Sequence, residues 1–296
     1  MINRKETSMN PSPLRYPGGK HRLSDYVRSL VKLNNCTTYI EPFCGGAAIA
    51  LELLLDGTVN RIILNDFDKA IYCFWKSILH DTDAFIDMIN NTDVTIEEWH
   101  HQKEIKNDDE HHSGLEVGFA TFFLNRTNRS GIIDKAGPIG GLSQNGNYLI
   151  DCRFNKPRLI QQIEKIAEHR DQITVYNKEA MDLIKKDILR TRGSFVYFDP
   201  PYYKKGPGLY SSFYDNGDHE ALSKLILNDM RNRKWIVTYD NVNEIKSFYK
   251  TVNSLEFSLQ YTLQEKRIAS EVMFFSKKLK RLEDESQYLN IIESGD

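Results

Sequence analysis

Short apolar runs of β type alternate with helical patterns along most of this 296-residue chain, and this alternation limits the possible folds more than any other feature. Such an alternation is typical of βα units arranged around a mostly parallel sheet. Two late apolar runs, 255–263 and 271–278, flank the polar stretch 264–270 and predict a terminal antiparallel hairpin. The sequence therefore predicts an α/β fold with a mixed seven-stranded sheet, whose other strands are 39–42, 61–66, 173–177, 194–199 and 235–240.

The alternation stops between about residues 73 and 156, where helix signals replace strand signals. Thr95-Ile-Glu-Glu98 and Ser113-Gly-Leu-Glu116 have the pattern of capping boxes that open helices. A glycine-rich polar stretch follows at 130–147 and predicts an ordered loop or a flexible arm. We therefore predict an inserted helical domain. The predicted units are a main domain of 1–75 and 157–280, the insertion 76–156, and a polar, solvated tail 281–296.

Composition excludes several classes of protein. The chain has no run of 18 apolar residues, so we expect no membrane span, and the polar N-terminus has no apolar signal core. Four cysteines lie far apart without a CxxC pair, so we expect no disulfide or zinc site and a reducing cytoplasm. Two His-His pairs, 100–101 and 111–112, lie in a polar segment, and we predict no metal there. The net charge of −2 gives no overall sign of a nucleic-acid partner, although basic residues cluster locally.

A glycine turn follows the first predicted strand, in Tyr39-Ile-Glu-Pro-Phe-Cys-Gly-Gly-Ala-Ala48. Gly45 and Gly46 would let the backbone approach a ligand closely, next to Glu41 and Phe43. The spacing is neither that of a P-loop nor GxGxxG, which weakens both phosphate-binding interpretations. A carboxylate beside the turn would suit a cationic, phosphate-free nucleoside such as S-adenosylmethionine. Glycines after a strand are also common in plain tight turns, so this motif alone leaves both interpretations open.

Asp66 ends the next predicted strand, 20 residues after Gly46. A carboxylate at that interval is placed to accept hydrogen bonds from ribose hydroxyls. Asp68 is a rival, but its position favours the N-cap of the following helix. Upstream, Tyr16 and Lys20 belong to the rigid stretch Pro13-Leu-Arg-Tyr-Pro-Gly-Gly-Lys20. They could contact the adenine or methionine part and the carboxylate of a cofactor, although residue chemistry alone favours a structural turn.

The strand 194–199 ends abruptly in Asp199-Pro-Pro-Tyr202, because prolines cannot donate to a sheet ladder. The carboxyl edge of such a strand is where ligands bind in open α/β sheets. Asp199 and the Pro200 carbonyl could each accept one hydrogen of an exocyclic amino group and direct its lone pair at a methyl sulfonium. Pro201 shapes the turn, and Tyr202 offers an aromatic face to a base flipped from the duplex. The motif fits adenine or cytosine, in DNA or RNA, so the substrate stays open at this point.

These motifs together resemble the Dam-type DNA adenine methyltransferases (the D12 class), over most of residues 12–278. The resemblance implies a Rossmann-like, S-adenosylmethionine-dependent methyltransferase fold with an inserted helical target-recognition domain. It also implies methylation of adenine N6 in double-stranded DNA, with Tyr16, Lys20, Asp66 and Asp199 lining the cofactor pocket. The matching pieces are Leu14-Arg-Tyr-Pro-Gly-Gly-Lys20, Glu41-Pro-Phe-Cys-Gly-Gly46, Leu64-Asn-Asp66, Asn125-Arg126, Arg153-Phe-Asn155, Asp199-Pro-Pro-Tyr202, Thr238-Tyr-Asp240 and the Arg267 to Glu271 hairpin.

In the family, the segment after Asn-Arg carries residues that contact DNA. The corresponding candidates here are Arg126, Asn128 and Arg129, joined by the basic group of Arg153 and Lys156. For Arg126 and Arg129, a solvated helix end is an equal alternative.

Family members that recognise GATC commonly continue with a Gly-Leu-(Cys/Phe)-Arg-Tyr-Asn block. This chain has Gly131-Ile-Ile-Asp134 and a glycine-rich excursion instead, so we do not expect GATC as its site. The expected partner is double-stranded DNA, with a cognate restriction endonuclease as a further candidate, and the expected location is the cytoplasm, for a protein encoded by a bacterium or a phage. A non-catalytic module that binds cofactor and DNA is the alternative outside enzymes, and the absent GxGxxG disfavours a nicotinamide oxidoreductase.

Overall fold

One mixed sheet organises the molecule in a computed structural model that describes residues 10–15, 20–203, 214–262 and 266–292. Its order is β3-β2-β1-β4-β5-β7-β6-β8. The first five strands in this order are parallel, and β7, β6 and β8 are antiparallel to their neighbours. The strands are β1 Thr38–Glu41, β2 Arg61–Asn65, β3 Ile173–Tyr176, β4 Ser194–Phe198, β5 Lys234–Asp240, β6 Asn253–Thr262, β7 Lys266–Phe275 and β8 Asn290–Ile291.

The predicted α/β fold with a mixed sheet is confirmed, but the prediction of seven strands was wrong. The eighth is the two-residue β8, which pairs with β6. Helices connect the strands, and no helix in the described part of the chain is long and apolar enough to cross a membrane. The α-helices of the described residues are α1 Ser24–Leu33, α2 Ala48–Leu55, α3 Lys69–His80, α4 Thr82–Asn91, α5 Ile96–Asn107, α6 Gly114–Thr127, α7 Lys156–Ala167, α8 Ala180–Lys186, α9 Asn216–Asn228 and α10 Asn243–Phe248.

The central strands are buried on both faces, as expected for parallel strands covered by helices. Tyr39 and Ile40 are neighbours on β1, and both are fully buried. They belong to different apolar clusters, because successive side chains of a strand point to opposite faces. The continuous apolar runs in the sequence therefore reflect a sheet with a core on each side.

The helices between β2 and β3 share one of these cores with the sheet. Phe122 of α6 lies in the same apolar cluster as Trp75 of α3 and Phe195 of β4. Helix α6 comes so near α3 that a Cβ at Gly118 would lie 2.8 Å from the Cys73 carbonyl oxygen. Ser113 and Glu116 form the predicted capping box at the start of α6. The domain boundaries at 76 and 156 remain a prediction.

The terminal hairpin is longer than predicted, with β6 and β7 paired from Asn253↔Phe275 to Thr262↔Lys266. Residues 266–270, predicted as part of the turn, belong to β7. Pairing of β7 with β5 ends at Asp240↔Glu271, so the outer hairpin extends beyond β5.

The stretch 281–292 also differs from the expected solvated tail. Leu289 is 4% exposed and Glu285 is 7% exposed. The Tyr26 hydroxyl of α1 donates a hydrogen bond to Glu285 Oε1 at 2.9 Å. A few apolar and paired residues thus suffice to attach a polar segment to the domain.

Candidate active site

A cavity of about 210 Å³ lies at the carboxyl ends of β1, β2 and β4. This is the sheet edge where open α/β folds bind ligands. The structure brings together here most of the residues predicted from the glycine turn and the Asp-Pro-Pro-Tyr motif. The predicted residues that line it are Lys20, Glu41, Phe43, Gly46, Asp66, Asp199 and Pro201.

The glycine turn is fixed in place by side chains of the next βα unit. Gly45 and Ala47 both have left-handed backbones, with φ of 44° and 46°. Asp66 Oδ2 accepts a hydrogen bond from the Gly45 N–H at 2.9 Å, and Trp75 Nε1 donates to the Gly45 carbonyl at 2.9 Å. The turn is therefore preformed, and it leads into α2 with small residues that leave the cavity open. Trp75 was not among the predicted site residues.

Asp66 and Asp68 have different roles: Asp66 lines the cavity, and Asp68 is the N-cap of α3. Asp68 caps α3 by accepting from the Ala70 N–H at 2.8 Å, as predicted. Asp66 Oδ1 accepts from the Asp68 N–H at 3.0 Å, so each Asp66 oxygen has one backbone donor. Burial, helped by the charge of Asp68, raises the pKa of Asp66 to about 7 against these two hydrogen bonds.

Glu41 is a second acid in the cavity wall and is 6% exposed. Burial, together with the nearby charge of Asp199, raises the pKa of Glu41 to about 8, while the neighbouring Tyr39 hydroxyl opposes the rise. Both wall carboxylates are thus poorly stabilised as anions, which makes the cavity favourable for a cation. Phe67, 58% exposed, adds an aromatic side chain to the cavity lining.

Asp199 directly follows β4 and is held by its neighbour strand β5. The Thr238 hydroxyl donates to Asp199 Oδ1 at 2.8 Å and lies 3.0 Å from the Tyr197 hydroxyl. Lys20 Nζ lies 3.6 Å from the same oxygen. Burial, helped by the charge of Glu271, raises the pKa of Asp199 to about 6. The positive charge of Lys20 and the hydrogen bond from Thr238 lower this pKa but do not offset the rise. The side chain remains 29% exposed toward the cavity.

Lys20, Tyr202 and Glu271 form a network beside Asp199. Lys20 Nζ contacts Glu271 Oε2 directly and lies 3.1 Å from the Tyr202 hydroxyl, which donates to Glu271 Oε1 at 3.1 Å. Glu271 is 1% exposed, on β7. We did not predict a role for Glu271, although its sequence carries a signal. It is an acid that opens the apolar run Val272-Met-Phe-Phe275.

The chain on either side of Tyr202 is anchored to β5 and to the core. Pro200 is buried and Pro201 is half-buried against the cavity. The Tyr203 N–H donates to Asp240 Oδ1 at 2.9 Å. Thr238 and Asp240, two residues apart at the end of β5, therefore hold both sides of the motif. Tyr16, the remaining predicted cofactor residue, lies outside the described residues.

The predicted DNA-contacting residues occupy very different environments. Arg129 and Arg153 are exposed. Arg126 is half-buried and donates from Nε to the Arg153 carbonyl at 2.8 Å. Burial, followed by the charges of Arg15, Arg158 and Arg153, lowers the pKa of Arg126 to about 10. Four arginines therefore share one positive region near the start of α7.

Two other predicted contacts, Asn128 and Lys156, are hydrogen-bonded to groups of the protein itself, and the full burial of Asn128 corrects the expectation for that residue. Asn128 is fully buried, accepts from Trp99 Nε1 at 2.7 Å and donates to the Ile132 and Ile133 carbonyls. Lys156 donates to the Asn90 and Thr92 carbonyls at the end of α4. The reason is the same for both: unpaired backbone groups around a helix end need partners, and these side chains supply them.

The sequence from residue 16 to 263 matches the family model described as D12 class N6 adenine-specific DNA methyltransferase. The chain belongs to this family. The chain is 23% identical over 247 residues to the Type II methyltransferase M1.LlaDCHI of Lactococcus lactis subsp. cremoris, covering 75% of each chain. It is also 23% identical over 231 residues to the Type II methyltransferase M.MjaIII of Methanocaldococcus jannaschii, covering 71% of this chain and 76% of that one.

The chain also has a weak likeness to a solved structure of a methyltransferase. The rRNA methyltransferase aviRa from Streptomyces viridochromogenes is 12% identical, with a TM-score of 0.41 over 94% of this chain and 95% of that chain. The family assignment therefore depends on the sequence match and not on this likeness. The resemblance seen in the motifs is confirmed, as are the methyltransferase class and its α/β fold.

Proposed function

We propose that the protein transfers a methyl group from S-adenosylmethionine to N6 of adenine at a specific site in double-stranded DNA. The observation that carries this proposal is the position of Asp199-Pro-Pro-Tyr202 at the edge of an acid-lined cavity. Membership of the D12 family supports the DNA substrate and the adenine target. The relatives named above are Type II methyltransferases, so we include a partner restriction endonuclease in the proposal.

The cavity residues fit S-adenosylmethionine. Glu41 and Asp66 line the site, and a cationic nucleoside would relieve their poorly stabilised charges. Gly45, Gly46 and Phe43 provide a close-approach turn and an aromatic wall, and Lys20 offers a cation to a carboxylate. When bound, this cofactor supplies a methyl group on a positively charged sulfur. We assign Tyr16 to the same pocket on the resemblance alone.

Asp199 provides the acceptor that the amino group needs. The contacts from Thr238 and Lys20 both reach Oδ1, so we assign Oδ2 to one N6 hydrogen and the Pro200 carbonyl to the other. Accepting both hydrogens draws the nitrogen lone pair out of the ring, toward the methyl group. Asp199 is already oriented by β5 and need not reorganise as positive charge develops on N6. With a pKa of about 6, it is mostly ionised at neutral pH.

Tyr202 and the arginine-rich surface have separate roles in binding DNA. A target base must leave the duplex before it can reach Asp199, and the Tyr202 ring gives it an aromatic face. The exposed Arg129 and Arg153 are our candidates for contacts with phosphates or guanines. Arg126 acts through the Arg153 main chain, which it holds by a hydrogen bond.

The experiment is methylation with radiolabelled S-adenosylmethionine on mixed-sequence DNA and, separately, on RNA, followed by digestion to nucleosides. We expect label in N6-methyl-2′-deoxyadenosine from DNA and no label in nucleosides from RNA. Label recovered only as N4-methylcytosine, or only from RNA, would replace the adenine-DNA proposal with one of those alternatives. Binding of cofactor and DNA without any transfer would favour a non-catalytic module.

A further inference from the structure

Lys20 lies between two acids but contacts them unequally. Its ammonium touches Glu271 directly, whereas Asp199 Oδ1 is 3.6 Å away. The Lys20 and Glu271 side chains are 3% and 2% exposed, and they come from opposite ends of the chain. A buried ion pair costs desolvation, and apolar residues often stabilise a fold as well. Stability alone therefore does not explain why this pair lies against the motif that accepts the substrate.

The geometry also ties Glu271 to Tyr202. One carboxylate oxygen accepts from the Tyr202 hydroxyl at 3.1 Å while the other binds Lys20. Lys20 Nζ also lies 5.1 Å from the centre of the Tyr202 ring. Glu271 thereby fixes the aromatic side chain and the cation on the same side of the cavity. Its own position is set by β7, which is paired with β5 at Asp240.

We propose that Glu271 is a positioning residue that binds the Lys20 ammonium and the Tyr202 hydroxyl, and so leaves Asp199 available to the substrate amino group. Without Glu271, the Lys20 ammonium would pair with Asp199. A carboxylate paired with an ammonium accepts an amino hydrogen less well, and Tyr202 would lose the acceptor that orients its ring. This inference rests on the proposed function, because it assumes that Asp199 accepts the amino group of the substrate.

Substitution of Glu271 by Gln should shift the pH dependence of kcat, and the contacts of Asp199 predict the direction of that shift. The charge of Glu271 raises the pKa of Asp199, and Lys20 lowers it. Glu271→Gln removes the first influence and frees Lys20 to strengthen the second, so the pKa of Asp199 should fall. The acid limb of the kcat profile, where kcat falls as the pH decreases, should therefore move to lower pH. At pH 8, kcat should fall by about 10- to 100-fold, because misplacing a group by about 1 Å costs up to about 100-fold.

The matched control is Glu256→Gln on the same hairpin. Glu256 pairs with Lys246 at 2.5 Å but is far more exposed and lies outside the site. We expect this control to keep the wild-type profile. Glu271→Asp retains the charge on a shorter side chain, and its kcat and acid limb should lie between those of wild type and Glu271→Gln. It serves as the test if Glu271→Gln does not fold, as judged by circular dichroism.

A titration that needs no turnover separates this inference from the proposed function. The ¹³C carboxyl resonance of Asp199, assigned with Asp199→Asn, should report a lower pKa in Glu271→Gln than in wild type or Glu256→Gln. An unchanged Asp199 titration, or a kcat profile of Glu271→Gln equal to that of the control, would overturn the inference. If the wild type methylates no nucleic acid, the proposed function fails, while the titration still decides whether Glu271 controls Asp199.

Discussion

The Thr238 hydroxyl makes Asp199 easier to ionise, and Thr238→Val removes that hydroxyl with little change of shape. The hydrogen bond from Thr238 to Asp199 is 2.8 Å long and lowers the pKa of the carboxyl group. Its loss must therefore raise that pKa. If ionised Asp199 accepts the substrate amino group, activity should be lost at acidic pH and preserved at alkaline pH.

The size of the effect follows from the same contact. A hydrogen bond to a charged group contributes about 1.5 to 3 kcal/mol, and the low end suits a carboxylate that is partly exposed. One pKa unit corresponds to about 1.36 kcal/mol, so the pKa of Asp199 should rise from about 6 to roughly 7. At pH 6.5 the ionised fraction would fall from about three quarters to about one quarter. We expect about a threefold loss of kcat there and almost none at pH 8.5.

The assay is kcat between pH 5.5 and 9 with saturating cofactor and DNA. Thr238→Ser keeps the hydroxyl and should retain the wild-type acid limb. Thr238→Val also leaves the Tyr197 hydroxyl, 3.0 Å away and buried, without this partner, which should cost about 1 to 3 kcal/mol of unfolding free energy. The double variant Thr238→Val Tyr197→Phe should recover most of that stability. Its kcat should still show an acid limb shifted to higher pH.

Two results would refute this reasoning. One is an acid limb that stays at its wild-type position in Thr238→Val. The other is a loss of kcat that is equal at pH 6.5 and pH 8.5, because a uniform loss would point to displaced structure and not to the ionisation of Asp199.

Two further predictions concern the cofactor and the DNA. Because burial raises the pKa of Glu41 to about 8, binding of cationic S-adenosylmethionine should release a proton, and its affinity should rise by up to about tenfold per pH unit below 8. Isothermal titration calorimetry in buffers of different ionisation enthalpy would measure this, and Glu41→Gln should flatten the dependence. Arg153→Ala should weaken DNA binding and reduce the slope of log K against log salt by about 1. Lys156→Ala, which loses contacts to the α4 carbonyls, should instead lower thermal stability with the slope unchanged.

Much of the fold was predictable because its signals are local. Buried parallel strands have apolar runs, and Asp199-Pro-Pro must end β4, whatever packs around it. The Ser113 and Asp68 caps were likewise readable from residue types within one helical turn. The extent of the hairpin was not, since residues 266–270 form no apolar run in the sequence, and they join β7 through backbone pairing with β6.

The candidate site was predictable where one segment carries the whole signal, and not where distant segments meet. Glu41 ends β1, and Asp66 and Asp199 directly follow β2 and β4, parallel strands whose carboxyl ends lie at one sheet edge. Glu271 belongs to an antiparallel strand, and its contact with Lys20 spans 251 positions along the chain, so an acid before an apolar run does not by itself predict that contact. The prediction that Asn128 contacts DNA was wrong for a different reason. A polar residue beside two arginines suggests a surface, yet its amide pairs internally in the core.

The central claim is that Asp199 accepts a hydrogen of the substrate amino group during methyl transfer. Its role is therefore more than stabilising the fold or binding the cofactor. The most direct measurement is methyl transfer to DNA by Asp199→Ala, with cofactor binding measured on the same preparation and Asp182→Ala, a surface ion-pair acid, as the control. We predict a loss of transfer of at least about 1,000-fold, since both acceptor geometry and charge are removed, with cofactor binding at least partly retained. Turnover near the wild-type rate in Asp199→Ala would contradict the account.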